Sequence, residues 1–231
     1  YGRLKMIDEK LLNKFKQTPG AISVTEAIAL YKLIVERKSI NGNFVDLGSN
    51  AGKSSMIAAA AFSDNGSTGE FYLVDPLYGN EMKWQQWAYA ANKPLFMSLL
   101  LNRLTTFSSL QFTFSSLESL PFLLEFSGGI DYCFIDSGDH GPELLNRELN
   151  ALLPLLNNGA LLVFHDYGNQ FVAVSGAYAG LLEKGFSKVD IDWEPIKRFV
   201  RNGNLEKGND SWHCPNVECP NFIGALTKGD N

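Results

Sequence analysis

The chain has 231 residues, of which 45% are hydrophobic and 19% charged, and its formal net charge is −5. This length suffices for one well-buried domain and is short for two, so we expect a single domain over residues 1–231. The acidic balance and the lack of a dense basic run argue against a nucleic-acid partner and favour a small-molecule substrate. No apolar run is long enough to span a membrane. Three cysteines, an odd number, do not form a disulfide framework, which favours a cytoplasmic location.

Predicted helices and strands alternate along the chain. Apolar residues at helical spacing predict a helix over 24–37, capped by Ser23 or Thr25, within a helical extension that covers residues 1–40. The predicted strands are 44–46, 71–74, 110–114, 130–135, 160–164, 189–191 and 222–227, and the later helices are 56–62, 80–104, 143–156 and 171–184. This alternation indicates an α/β fold, in which a parallel sheet carries helices on both faces.

The segment from Asn43 to Ser55, NFVDLGSNAGKSS, is typical of a ligand-binding turn. It combines an apolar strand that ends in an acid with two glycines and the start of a helix. Gly48 and Gly52 let the backbone approach a ligand without an intervening Cβ, and Ser54 is expected to cap the helix. Such a turn is predicted to present free N–H groups to whatever binds.

Spacing separates the ligands that compete for this turn. A P-loop has four residues between its first glycine and its Gly-Lys pair, whereas Gly48 and Gly52 enclose three. Asp46 would also place a carboxylate beside a triphosphate. A dinucleotide turn needs a glycine where Asn50 stands. The remaining candidate is a ligand with a positive centre and no phosphate, such as S-adenosyl-L-methionine (SAM), and a merely structural strand-turn-helix is the alternative.

Polar residues end five successive apolar runs. They are Asp46, then Asp75, then Ser115 and Ser116, then Asp136 with Asp139 and His140, and finally His165 with Asp166. Because the carboxyl ends of parallel strands meet at one edge of a sheet, we expect these side chains to line one site. Asp75 follows Asp46 by 29 positions and is placed to accept hydrogen bonds from both hydroxyls of a ribose, with a structural cap as the alternative.

These segments resemble the class I SAM-dependent methyltransferases, particularly the small-molecule O-methyltransferase group with an IDGDH-like motif (methyltransferase family 24-like). The resemblance rests on VDLGSNAG at 45–52, LVDP at 73–76, SSLESLP at 115–121, IDYCFIDSGDH at 130–140 and GALLVFHDY at 159–167. It implies a Rossmann-like, doubly wound, mostly parallel sheet of seven strands, with helices on both faces and an antiparallel last strand.

The resemblance also implies roles for individual residues in binding SAM. The methionine part would be held by Asp46, Gly48, Ser49 and Gly52, the ribose by Asp75, and the adenine would be bordered by Ser116 and Leu117. Asp136 is a further candidate, because it is placed to serve the amino group of the cofactor.

Some members of this group hold a divalent metal with acids that follow strands four and five, and the matching residues are Asp136 and Asp166. Mg²⁺ prefers oxygen ligands and lowers the pKa of a substrate hydroxyl that it binds. Asp139 lies nearby, and His140 or His165 is expected to remove the proton. The alternatives are that the two acids serve the cofactor and a helix cap without metal, and that each histidine only hydrogen-bonds a neighbouring loop.

The chain departs from the family pattern within the IDGDH-like segment, at Gly141 and Pro142 that follow it, and at Ser115, where the family usually has an acid. Ser137 or Gly138 is inserted in the IDGDH-like segment, which shifts Asp139 and His140 relative to Asp136. Residues 193–220 are predicted to form a lid or an insertion, and the cysteines and histidine within it are expected to belong to an ordinary loop rather than to a zinc site.

The sequence therefore predicts methyl transfer from SAM to a hydroxyl of a small molecule, assisted by a divalent metal. It is compatible with a homo-oligomer. One alternative is a cofactor-binding or interaction protein without catalysis. Another is a P-loop-like nucleotide phosphatase that uses Lys53 and Ser54. In the methyltransferase interpretation, Lys53 is expected to be a solvated helix residue.

Overall fold

The computed structural model describes residues 7–18, 22–37, 41–78, 93–136, 141–168, 172–202 and 223–229. The helices are α1 (Glu9–Lys16), α2 (Val24–Val35), α3 (Lys53–Asp64), α4 (Lys93–Leu104), α5 (Ser119–Glu125), α6 (Pro142–Leu152), α7 (Val172–Glu183) and α8 (Trp193–Asn202). The strands are β1 (Phe44–Leu47), β2 (Gly69–Val74), β3 (Leu110–Ser115), β4 (Ile130–Ile135), β5 (Leu156–Phe164), β6 (Ser187–Val189) and β7 (Gly224–Thr227). Short 3₁₀ turns cover Pro76–Tyr78 and Leu153–Leu155.

The seven strands form one sheet in the order β3-β2-β1-β4-β5-β7-β6. Strands β1 to β5 pair in parallel, whereas β7 runs antiparallel to both of its neighbours, β5 and β6. This arrangement confirms the predicted fold class, including the antiparallel last strand. The strand order reverses between β1 and β4, and ligands of such sheets bind at the carboxyl edge beside this switch point.

Successive side chains of β1 contribute to two different hydrophobic cores, one on each face of the sheet. Phe44 joins a core formed with α2 and α3, while Val45 and Leu47 join a second core formed with α6 and α7. Helices therefore cover both faces, as predicted. Since side chains alternate along a strand, Asp46 points to the same face as Phe44, towards α3.

Several element boundaries differ from the prediction. Strand β5 begins at Leu156 instead of residue 160, because the NNG sequence that reads as a turn lies within the strand. Helix α6 ends at Leu152 and continues as a 3₁₀ turn. Strand β6 lies two residues earlier than expected. Helix α1 lies in the helical extension predicted over residues 1–40, although its own bounds are not predicted, and α5 is not predicted, because eight and seven residues give too little periodicity to define a helix.

The regions outside the sheet are described in part. Helix α4 covers the second half of the predicted helix over 80–104, and residues 79–92, with both tryptophans of that region, lie outside the described residues. Helix α8 covers the first part of the predicted lid, and its Ile196 and Val200 are buried in the same core as α2. Residues 203–220 lie outside the described residues. None of the described helices combines the length and apolarity that a membrane span requires.

Candidate functional site

The turn after β1 contains three residues in the left-handed backbone region. Gly48 and Gly52 have φ angles of 82° and 71°, and Asn50 between them has a φ of 46°. Helix α3 begins after Gly52, and no side chain caps its N-terminus. The prediction that Ser54 caps this helix is wrong, because its hydroxyl donates to Asp46 Oδ2 over 2.5 Å instead. The turn is therefore attached to the buried acid at the end of β1.

Backbone N–H groups of the turn are bonded within the protein. Those of Gly48 and Ser49 both donate to the Val74 carbonyl, at 2.9 and 3.2 Å. The N–H of Asn50 donates to Asp75 Oδ2 over 2.9 Å, and that of Gly52 donates to the Ser49 carbonyl over 2.7 Å. The predicted free N–H groups are thus absent at these four positions. A phosphate at this turn would find the N–H groups of Gly48, Ser49, Asn50 and Gly52 already engaged.

The turn instead carries two buried acceptor atoms. Asp46 Oδ1 and Asn50 Oδ1 have no hydrogen-bond partner among the described residues. Asp46 is fully buried, and its other oxygen accepts from Ser54 and Ser55. Because a buried acceptor without a donor costs free energy, such atoms indicate a place where a ligand or water supplies the donor. The sequence interpretation missed Asn50, which it treated only as a replaced glycine.

Burial also controls the ionisation of Asp46. It raises the pKa of this carboxyl to about 7, although hydrogen bonds from Ser54 and Ser55 oppose the shift. The charges of Asp136 and Asp75 raise the pKa further. A cation placed beside Asp46 would favour the ionised form, so the site becomes a better receptor for positive charge as the carboxyl loses its proton.

Tyr78 contacts the glycine turn through its hydroxyl, and the sequence interpretation did not identify it. Its hydroxyl donates to the Asn50 carbonyl over 2.9 Å. The same hydroxyl oxygen lies 2.8 Å from Ser49 Oγ and, since its own proton is engaged, accepts a hydrogen bond from that serine. Burial raises the pKa of Tyr78 well above its usual range. Tyr78 follows Asp75 in a 3₁₀ turn, and the DP sequence that opens this turn was the available signal.

Two of the predicted adenine-side residues lie exposed beyond β3. Ser116 and Leu117 follow the strand, and Leu117 has 36% of its surface exposed. The Leu117 N–H donates to Ser115 Oγ over 3.3 Å. Their position at the carboxyl edge is compatible with contact to a flat ring. That they border the adenine of SAM stays a prediction.

Asp136, His165 and Asp166 meet at the ends of β4 and β5. His165 Nδ1 lies 3.1 Å from Asp136 Oδ1 and 3.3 Å from Asp166 Oδ2. The three residues each offer one ligand atom, and these atoms lie within 4.8 Å of one another. Asp166 also has a left-handed φ of 58°, an uncommon conformation that concentrates at functional sites. The other two predicted catalytic residues, Asp139 and His140, lie outside the described residues.

The opposite nitrogen of His165 faces a residue that was not predicted as part of the site. Its Nε2 lies 3.5 Å from Oε1 of Glu26, on helix α2. Burial by itself would lower the pKa of His165, but the charges of Asp136 and Glu26 and the hydrogen bonds of Asp136 and Asp166 raise it well above its usual range. The same contact, against the effect of burial, lowers the pKa of Glu26. The only sequence signal for Glu26 was its place three residues after Ser23 in a capping box.

Lys53 does not occupy the position expected from the sequence. Only 3% of its surface is exposed, and its Nζ lies 4.2 Å from the centre of the Phe15 ring in α1. The expectation of a solvated residue is therefore wrong. The contact also differs from the arrangement of a P-loop lysine, which reaches a phosphate.

The seven-stranded sheet, with its glycine turn after β1 and its acidic carboxyl edge, defines a Rossmann-like domain. Residues 45–167, more than half of the chain, match the family described as "Methyltransferase domain". The chain belongs to this family, and the resemblance to class I SAM-dependent methyltransferases is confirmed. The comparison with curated protein sequences gives no match.

Several solved structures share this fold. The chain is similar to an rRNA methylase from Streptococcus thermophilus, with a TM-score of 0.55 and 13% identity over 88% of this chain and 96% of that one. It is also similar to TrmN from Thermus thermophilus, with a TM-score of 0.52 and 15% identity over 94% of this chain and 52% of that one. SMU.1697c from Streptococcus mutans, in complex with SAH, has a TM-score of 0.50 and 10% identity over 86% of this chain and 94% of that one.

Proposed function

We propose that this methyltransferase transfers the methyl group of SAM to a hydroxyl oxygen of a small molecule, with the assistance of a divalent metal. The observation that carries the cofactor assignment is the chemistry of the turn after β1. At Asp46 and Asn50 it offers unpartnered acceptors, whereas the N–H groups of Gly48 and Ser49 are engaged. A ligand with ammonium and hydroxyl donors fits this pattern, and a phosphate does not.

In this proposal Asp46 Oδ1 and Asn50 Oδ1 receive donors from the methionine and ribose parts of SAM. Asp75 contributes to the ribose side while its Oδ2 also holds the Asn50 N–H. Gly48 and Gly52 permit the tight path of the turn, and Ser49 acts through Tyr78. The adenine is proposed to lie against Ser116 and Leu117, and Asp136 remains a second candidate for the amino group.

The acceptor side is proposed to be the cluster of Asp136, His165 and Asp166. The carboxylate oxygens of Asp136 and Asp166 lie within 4.8 Å of each other and fit a divalent cation. When bound, such an ion lowers the pKa of a hydroxyl and promotes its attack. The protein residues orient the substrate oxygen towards the methyl group, and proximity of this kind contributes on the order of 7 kcal/mol in favourable cases. His165, together with the predicted residues Asp139 and His140, is the candidate for handling the proton.

The net charge of −5 favours a small substrate over RNA, although one of the similar structures is described as an rRNA methylase. The proposed location is cytoplasmic. Cys133, the cysteine within the described residues, is a buried free thiol, which agrees with a reducing compartment. Homo-oligomerisation stays open in this proposal.

Calorimetry tests the cofactor part. We expect SAM and S-adenosylhomocysteine to bind the intact protein, and we expect Asp46→Asn to weaken SAM binding. Asp131→Asn is the matched control, because Asp131 begins strand β4 at the opposite edge and accepts from Asn43 N and Asn157 Nδ2. Lack of SAM saturation at about millimolar ligand would reject the proposal.

Transfer of a labelled methyl group tests the reaction. A panel of small hydroxyl compounds, amines and a bulk RNA preparation distinguishes the proposed activity from nitrogen or RNA methylation and from a protein that binds SAM without catalysis. Treatment with a chelator followed by Mg²⁺ or Mn²⁺ tests the metal. Activity that is unchanged by the chelator and by Asp166→Ala would remove the metal from the proposal while leaving methyl transfer intact.

A further inference from the structure

Glu26 has an unusual position for a helix-capping residue. It is buried, with 4% of its surface exposed, although it lies in the first turn of α2. A capping glutamate needs only to reach the backbone at the start of its own helix, and most such residues remain in contact with water. The burial of this carboxylate therefore requires a second explanation.

The two oxygens of Glu26 have separate neighbours. Oε2 accepts the N–H of Ser23 over 2.7 Å, and the N–H of Glu26 donates to Ser23 Oγ over 3.2 Å, which completes the capping box. Oε1 is turned away from this cap, has no hydrogen-bond partner among the described residues and lies at ion-pair distance, 3.5 Å, from His165 Nε2. The cap thus fixes the carboxylate, and the second oxygen of that carboxylate faces the imidazole.

Both ring nitrogens of His165 consequently face carboxylates. Its Nδ1 faces Asp136 and Asp166 at the edge where the acceptor is proposed to bind, and its Nε2 faces Glu26 on the helix layer. The imidazole is 3% exposed and also packs near the Phe134 ring, with 6.0 Å between ring centres. An imidazole with one nitrogen fixed by a carboxylate presents its other nitrogen in a defined orientation.

We propose that Glu26 is a positioning residue for the methyltransferase reaction: through Nε2 it orients His165 so that Nδ1 faces Asp136 and Asp166. This inference rests on the proposed function of that edge. It also makes helix α2, which precedes the part of the chain that matches the family, a component of the site. The Ser23 cap contributes indirectly, because it fixes the Glu26 carboxylate that faces Nε2 of the imidazole.

The test combines nitrogen NMR of histidine-labelled protein with kinetics. The chain has three histidines, so His140→Gln and His213→Gln assign the resonances of His165. Glu26→Gln is the informative variant, because glutamine preserves the capping box while replacing the carboxylate beside Nε2. Glu36→Gln is the matched control, because Glu36 lies at the end of the same helix, is exposed and pairs with Lys32 at 3.7 Å.

We expect Glu26→Gln to shift the His165 nitrogen resonances and to lower kcat by about 10-fold to 100-fold, with the Kd for SAM changed less than about threefold. Glu36→Gln should change none of these quantities. Glu26→Asp, which retains the charge but shortens the side chain, should give an intermediate resonance shift and provides a second test should the glutamine variant fold poorly.

Unchanged His165 resonances in both Glu26 variants would overturn the inference, as would a shift of these resonances accompanied by wild-type kcat. A fall in kcat without any resonance shift would also overturn it, because the effect would then not pass through His165. Failure of the proposed function is recognised separately: the wild-type protein would show no methyl transfer, while the NMR comparison would still report whether Glu26 orients the imidazole.

Discussion

Ser54 Oγ donates a hydrogen bond to Asp46 Oδ2, and this contact attaches the first turn of α3 to the carboxyl end of β1. Ser55 donates to the same oxygen. Asp46 Oδ1 is left without a hydrogen-bond partner among the described residues. One oxygen of the carboxylate therefore serves the fold, and the other is available to a ligand.

The stability of the ligand-free protein is predicted to depend on the ionisation of Asp46. The folded-state pKa is raised to about 7 from an ordinary value of 3.8. Between these values the folded protein retains a proton that the unfolded chain has released, so the free energy of unfolding falls as the pH rises and the contribution is lost at about pH 7. Relative to Asp46→Asn, the wild type should lose about 3 kcal/mol between about pH 5 and pH 8.

Urea denaturation of both proteins at the two pH values measures this difference. Asp46→Asn removes the titrating group while it keeps the size of the side chain and acceptor capacity towards Ser54 and Ser55. Parallel dependence of the unfolding free energy on pH in the wild type and the variant would contradict the prediction.

SAM binding is predicted to strengthen as Asp46 loses its proton, whereas the free energy of unfolding falls. The groups that face Asp46 include Asp75, Asp136 and the neutral phenol of Tyr78, and both acids raise the Asp46 pKa. A bound cation favours the carboxylate, so binding releases a proton while Asp46 is protonated. We expect the Kd for SAM to fall by about tenfold between about pH 6 and pH 8, and to level off above that range.

Calorimetry in two buffers with different ionisation enthalpies measures the released proton directly. At about pH 7 the wild type should release about half a proton more than Asp46→Asn does, because the carboxyl is then about half protonated. Equal proton release by the two proteins would show that the cofactor does not sense Asp46.

The organisation of the sheet edge could be predicted because it depends on short-range patterns. The order of apolar runs and polar ends placed Asp46, Asp75, Asp136 and Asp166 at one edge, and the structure brings Asp136 and Asp166 together around His165. Each of these residues lies within two positions of the carboxyl end of a strand, so that parallel pairing determines its location.

The contributions of the N-terminal helices could not be predicted in the same way. Glu26 and Phe15 reach the site region only because α1 and α2 pack over the sheet face that carries α3. The helical pattern of α2 shows that one face is apolar, but it does not show which strand end that face will cover. The hydrogen bonds of the glycine turn are similarly tertiary, because Val74 and Asp75 of the neighbouring strand accept its N–H groups.

Asn50 allows a test of the unpartnered acceptor that separates binding from folding. Its φ of 46° suits glycine, so Asn50→Gly should keep the turn and change the free energy of unfolding by less than about 1 kcal/mol. Loss of the side-chain oxygen should weaken SAM binding by about tenfold. Asn50→Ala should lose the same affinity and, in addition, about 1 kcal/mol of stability, because its Cβ is strained in the left-handed region.

Calorimetry with SAM and urea denaturation separate these outcomes. Wild-type affinity in Asn50→Gly would show that the buried amide oxygen accepts nothing from the cofactor. Equal stability of the glycine and alanine variants would show that the left-handed backbone at this position costs little.

The contact between Lys53 and Phe15 is predicted to stabilise the protein by fixing α1 over the start of α3. The ammonium lies 4.2 Å from the ring centre, and both side chains are buried, at 3% and 0% exposure. A desolvated cation–π contact of this kind contributes about 1–2 kcal/mol. A double-mutant cycle with Lys53→Met and Phe15→Leu should therefore give a coupling energy of that size in urea denaturation, because each substitution removes the contact while retaining an apolar side chain.

The same variants decide between the structural role of Lys53 and the nucleotide-phosphatase alternative. A structural role for Lys53 predicts a Kd for SAM within about threefold of wild type in Lys53→Met, provided that the variant is measured below its unfolding range. No ATP binding is expected in either protein, because the N–H groups of Gly48, Ser49 and Gly52 are engaged. Measurable ATP binding that disappears in Lys53→Met, with no coupling between Lys53 and Phe15, would reverse this interpretation and assign the lysine to a phosphate.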